Sequence, residues 1–188
     1  MPRKTPEPLR GQAATVVAAA AAAARWFEAP GPEALSAART ARLRARGWRE
    51  DAVALQKGGR GPAHSDAADL SFSLREAVEH GAAAVSDAAR WSVGPDAAFA
   101  EMTRSLLRGA KALALACDAA GPARAAALDD AKRWCADVER RRRAARGEAA
   151  ESIRFVDSFK RGEIASLLSS AAEAVQQACD ALAGSLAE

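Results

Sequence analysis

Tyrosine is absent from this 188-residue chain, and only nine residues are aromatic, four Trp and five Phe. Strands favour β-branched and aromatic side chains, so a sheet has little here to be built from. Histidine occurs only as His64 and His80, and cysteine only as Cys117, Cys135 and Cys179. Three widely spaced thiols in apolar stretches make neither a disulfide frame nor a metal clasp, and they read as reduced, buried, unbridged core thiols of a cytoplasmic protein. Gly58-Gly59-Arg60-Gly61 lacks the Lys-Ser/Thr that would complete a phosphate-binding loop, and no Ser/His/Asp spacing points to a nucleophile. The sequence therefore predicts a protein that is not an enzyme and needs no cofactor.

Long hydrophobic runs are also missing. The stretch Ala13 to Ala24 is twelve residues long, whereas a membrane span needs about 20. Arg3, Lys4 and Arg10 ahead of it give it the outline of a signal peptide. Trp26-Phe27-Glu28 continue its helical pattern, so it is read as the first helix of a cytoplasmic protein with no membrane insertion.

Alanine is abundant, at more than a quarter of the chain, and it is the best helix former. Gly-Pro occurs at residues 31–32, 61–62, 94–95 and 121–122. Glycine ends helices in the left-handed conformation and proline opens them, so each pair predicts a helix boundary. A softer break falls at Val156-Asp157-Ser158, where Asp157 or Ser158 is placed to cap a last helix. The predicted helices cover residues 7–28, 33–57, 65–92, 95–119, 122–155 and 159–187, with a glycine-rich link from Gly58 to His64. Stripes at steps of three and four support three of them: Leu70, Leu74, Ala77, Gly81, Val85, Ala88; Phe99, Met102, Leu106, Ala110, Leu113, Cys117; and Ile164, Leu167, Ala171, Val175, Ala178, Leu182. Short loops imply antiparallel neighbours. The fold class is all-α, a single domain of six long antiparallel helices.

Charge is nearly balanced, with 27 basic and 24 acidic residues, which gives no electrostatic footprint for nucleic acid. Residues 1–94 hold 13 basic and 10 acidic residues, and the remainder 14 of each. Glu76 and His80, one turn apart beside Glu79, form the one compact constellation that could share a metal ion or a proton. Arg39, Arg42, Arg46 and Arg49 repeat along the second helix as a candidate partner-contact stripe. Arg140 to Arg143, interspersed with Asp137, Glu139 and Glu148, read as a solvated face.

Leu9-Arg10-Gly11-Gln12-Ala13-Ala14 resembles the first-helix signature of the PhoU-like phosphate-transport regulators, in the form that accompanies Pit-type phosphate transporters. Asp69-Leu70 with Leu74-Arg75-Glu76-Ala77-Val78-Glu79 resembles that family's third helix. Val138-Glu139 to Phe155 and Lys160-Arg161-Gly162-Glu163-Ile164 to Leu168 resemble its last two in order and spacing. The resemblance implies two pseudo-symmetric three-helix bundles, near residues 1–92 and 95–188. It further implies a cytoplasmic regulator, peripheral to the membrane, whose partner is a phosphate transporter or sensor protein, and it leaves a homodimer open.

Members of that family often bind metal clusters through acidic pairs at i and i+4. The aligned pairs here are Arg44 and Trp48, Arg75 and Glu79, Glu139 and Arg143, and Ser169 and Glu173. Arg44, Arg75 and Arg143 occupy positions where the family has acids. No metal is expected; Glu76, Glu79, His80, Glu139 and Glu173 are the residual candidates. The alternatives are a metal-binding carboxylate bundle, which needs Glu-x-x-His on two helices, and a helical adaptor unrelated to phosphate.

Overall fold

The computed structural model describes residues 5–48, 50, 62–149 and 155–184, with the backbone alone for 62–65 and 145–149. It is all-α. Among the described residues six helices follow in order: α1 Glu7–Glu28, α2 Pro32–Arg46, α3 Pro62–Arg90, α4 Ala97–Asp118, α5 Gly121–Ala149 and α6 Phe155–Gly184. No described residue is in a strand.

The Gly-Pro pairs fall at or near helix starts, by differing local means. Pro32 is the first residue of α2, where its missing N–H has no helical partner to lose. Pro62 likewise opens α3, which places His64 inside the helix and not in the link expected before it. Among the described residues the left-handed glycine is realised only at Gly121, φ 57°, and Gly31 is extended. The end of α3 is turned instead by Ser92, φ 55°, with the Val93 N–H donating to Ala88 O at 2.8 Å in a Schellman-type closure. Asp96 then caps α4 by accepting from the Phe99 N–H at 3.0 Å.

Two further boundaries differ from the sequence reading. Helix α2 ends at Arg46 and Gly47 is a turn, after which Trp48 and Glu50 are again helical; one unbroken helix to residue 57 was predicted, and its residues 51–57 lie outside the described residues. Residues 51–61, with the Gly58 to Gly61 stretch, lie outside the described residues. Helix α6 opens at Phe155, which puts Asp157 in its first turn and not at its cap. There the carboxylate still complements the exposed N–H groups of the helix start.

The helices meet in a regular order. α1, α2 and α3 all touch one another, as do α4, α5 and α6, and the two sets are joined by α1 against α4 and α3 against α6. Arg10 meets Asp118 at 3.5 Å and Arg104 meets Glu28 at 3.0 Å, so α1 and α4 run antiparallel. Thus α1, α4, α6 and α3 form a closed ring, with α2 laid on α1 and α3, and α5 on α4 and α6.

The core lies within that ring. Leu74, Met102, Leu106, Leu113, Ile164 and Leu168 are fully buried, and Phe27 packs on Phe99 with ring centroids 5.0 Å apart. All three predicted stripes are buried except for Leu167, which is half-buried while Leu168 takes the inner position. The reason is geometric: α6 touches three helices, so its apolar face is wider than one stripe. Cys117, Cys135 and Cys179 are free and buried. Burial pushes the Cys117 thiol up to about 11 and Cys179 to about 12, so neither is a thiolate near neutrality. α2 differs from the others in burying only Ala34, Ala38, Ala41 and Ala45. Methyl groups bury little area, so α2 is held by close approach and not by large side chains.

Candidate functional site

Helix periodicity decides which of the singled-out residues come together. Glu76, Glu79 and His80 lie on α3, one turn or less apart, as their spacing requires. Glu76 accepts from Arg75 at 2.7 Å, and its other oxygen lies 3.5 Å from His80 Nε2. Glu79 points across to α2 and takes Arg42 Nε at 2.6 Å. Arg75 also lies over the Phe72 ring, 5.4 Å from its centroid. The two acids of this constellation thus serve two different arginines.

The second half places its family positions at the α5–α6 contact. Glu139 accepts from Arg142 at 2.7 and 2.8 Å, from Arg143 at 3.0 Å and from Ser169 Oγ at 2.6 Å. Arg142 first, then Ser169, then Arg143 hold the Glu139 carboxyl well below its ordinary range, down to about 2, although burial acts in the opposite direction. Glu173 is exposed one turn beyond Ser169. A carboxylate that already accepts four hydrogen bonds, two on each oxygen, has no lone pair left to direct at an ion. Among the described residues no group of three or more His, Cys, Asp and Glu is placed to hold a metal. The donor set therefore does not fit the metal cluster that the resemblance implies.

The arginine run of α5 is neutralised within the protein. Arg140 and Arg141 both donate to Asp137, at 2.8 and 2.6 Å, and Arg141 reaches Glu101 of α4 at 2.6 Å. Burial alone would raise the Asp137 pKa. Hydrogen bonds from Arg140, Ser105 and Arg141 outweigh it and hold that carboxyl far below the usual carboxylate range. Arg140 and Arg143 are exposed, as a solvated face requires, whereas Arg141 and Arg142 are half-buried, and the Arg141–Glu101 pair ties α5 to α4.

The stripe on α2 has the opposite character. Arg42 is paired with Glu79, but Arg39, Arg44 and Arg46 are exposed and have no carboxylate partner among the described residues. Arg49 lies outside the described residues. Trp48, the other member of the Arg44 pair, is half-buried against the core. Leu43 is 62 % exposed. Beside it an open groove of about 620 Å³ runs between α1 and α2, lined by Ala18, Ser36, Ala37, Thr40 and Ala41, with Glu33 towards one end and Arg44 towards the other.

Some features gave no sequence signal. Arg124, 1 % exposed, donates to Ala119 O at 2.8 Å and to Thr5 Oγ at 3.4 Å, tying Thr5, just ahead of α1, to the α4–α5 turn. Arg161 pairs with Asp96 and lies over the Phe99 ring, locking α6 to α4. Arg108 stacks on Trp134, 4.5 Å from the ring centroid. Gln12, within the Leu9 to Ala14 stretch, is buried with neither amide atom hydrogen-bonded in the protein.

Among the described residues no helix is long and apolar enough to cross a membrane. No protein-family model matches the chain, and no curated protein matches it.

Proposed function

We propose that this chain is a non-catalytic, PhoU-like regulator of inorganic phosphate transport that acts by contact with a transporter or sensor protein. The observation that carries the reading is the order of helix contacts. Each run of three consecutive helices forms a mutually touching set, and the sets join first helix to fourth and third to sixth. Exchanging α1, α2, α3 for α4, α5, α6 maps this pattern of contacts onto itself, as two repeats of one three-helix unit require. The resemblances along α1, α3, α5 and α6 follow the same order.

Chemistry points the same way. Of the acids that a metal-storing carboxylate bundle would use, Glu76, Glu79 and Glu139 are engaged by Arg75, by Arg42 and by Arg142 with Arg143. The test is co-purification of the tagged protein with a Pit-type phosphate transporter at ionic strength near 0.15 M, where exposed charge attraction is screened beyond about 8 Å. Retention through washing is the expected result. A transporter that is never retained contradicts the proposal.

A further inference from the structure

We propose that the outer face of α2 is a docking site for an acidic amphipathic helix of a protein partner, an inference that deepens the contact reading above and names the surface. Three independent features meet on this one helix: arginines with no carboxylate partner among the described residues, an exposed leucine and an open groove.

The charge argument rests on a contrast inside the molecule. Each of Arg140, Arg141, Arg142 and Arg143 on α5 has a carboxylate of this chain within 3.0 Å. Arg39, Arg44 and Arg46 on α2 have none among the described residues. Like charges crowded on one helix repel one another, and an opposite charge from a partner relieves that repulsion. Between Glu33 and Glu50 the sequence of α2 and its turn contains no acid. The complement of this surface is carboxylate.

Geometry selects a helix as the bearer of those carboxylates. At 100° per residue, Ser36, Thr40 and Leu43 fall on the side of α2 opposite the buried Ala34, Ala38, Ala41 and Ala45. Arg39 and Arg46 flank this ridge on one side and Arg44 on the other. The groove beside it is lined by small side chains, so a second helix can approach closely, as side-chain size sets interaxial distance. Leu43 supplies an apolar anchor for a helix-in-groove contact. Glu33 at the other end of the groove fixes the polarity, because the partner's acids must lie towards Arg44.

The probe is a fluorescein-labelled, alanine-based helical peptide of roughly 20 residues, with glutamates at i, i+4 and leucines beside them. A scrambled peptide and a lysine-for-glutamate peptide serve as controls. Anisotropy titrations should show saturable binding of the acidic peptide alone. The variant Arg39→Glu, Arg44→Glu, Arg46→Glu should weaken it at least about tenfold, and Thr40→Trp, which fills the groove at unchanged charge, should weaken it as well. A variant with the same charge change elsewhere, Arg90→Glu, Arg108→Glu, Lys111→Glu, should stay within about twofold of wild type. All four substituted α2 positions are exposed, so circular dichroism should confirm an unchanged fold.

No saturable binding overturns the proposal, as does equal weakening by both charge variants. α2-dependent binding of phosphatidylglycerol vesicles or of an RNA oligonucleotide in preference to the peptide also overturns it, and so does self-association of the chain that the α2 variant abolishes. The peptide titration involves no transporter. Peptide binding with no transporter retained defeats only the phosphate reading, and transporter retained unchanged by the α2 variants defeats only the surface.

Discussion

At the scale of single residues, the sharpest consequence belongs to Glu139. Its carboxyl is held at about 2 in the folded protein against an ordinary 4.5. A carboxyl with a depressed folded pKa contributes stability that is complete above its unfolded pKa and is lost as pH falls through the folded one. The window is therefore from about 4.5 down to about 2. Asp137, shifted in the same direction, adds to the loss. Urea midpoints should fall steeply between about pH 5 and pH 3, and Glu139→Gln should flatten that slope while lowering the midpoint near neutrality; an unchanged slope contradicts the assignment. Half of this site was legible in the sequence, since Glu139 and Arg143 are i, i+4 on one helix. Ser169 was not, because its contact depends on the register of α6 against α5, which no local pattern encodes. The free state of Arg39, Arg44 and Arg46 was hidden likewise: periodicity places arginines on a face but not the acids opposite them.

At the scale of elements, close approach decides more than hydrophobic size. A Cβ added at Gly109 of α4 would lie 2.9 Å from Cys135 Sγ and 3.3 Å from Ala131 O of α5. Alanine gains up to about 1 kcal/mol over glycine within a helix. Overlap with a buried sulfur and a backbone oxygen costs about 1 to 3 kcal/mol, so the overlap wins. Gly109→Ala should destabilise the protein, whereas Gly81→Ala, with no atom within 4 Å of the new methyl, should stabilise it by about 0.4 to 1 kcal/mol. Thermal melts of the two variants decide this, and a stabilised Gly109→Ala contradicts the packing described. Most helix starts were readable because Gly-Pro is covalent punctuation. The end of α2 was not, because no proline follows Gly47 and helix-compatible residues stand on both sides of it, Arg46 before and Trp48 and Glu50 after. Ser92 in the left-handed conformation was equally hidden, since glycine, available two residues later at Gly94, is the usual residue there.

At the scale of the whole molecule, helix composition and stripe spacing made the all-α class legible, and short loops made consecutive helices neighbours. The joining of the two sets through α1 with α4 and α3 with α6 was not readable from periodicity. It is set by packing between residues far apart in the chain; the exposed pairs Arg10 with Asp118 and Arg104 with Glu28, whose members lie 108 and 76 residues apart, mark the α1–α4 register and add little to it. That joining is what gives the regulator reading its structural support. It leaves α2 and α5 on the outside of the ring, where α5 is neutralised by its own acids and α2 is open to a partner. The most direct measurement is radiolabelled phosphate uptake by cells expressing a Pit-type transporter with and without this protein at equal transporter abundance. The account predicts an uptake rate that changes when the protein is present and returns to its original value with Arg39→Glu, Arg44→Glu, Arg46→Glu. An uptake rate indifferent to the protein would contradict it.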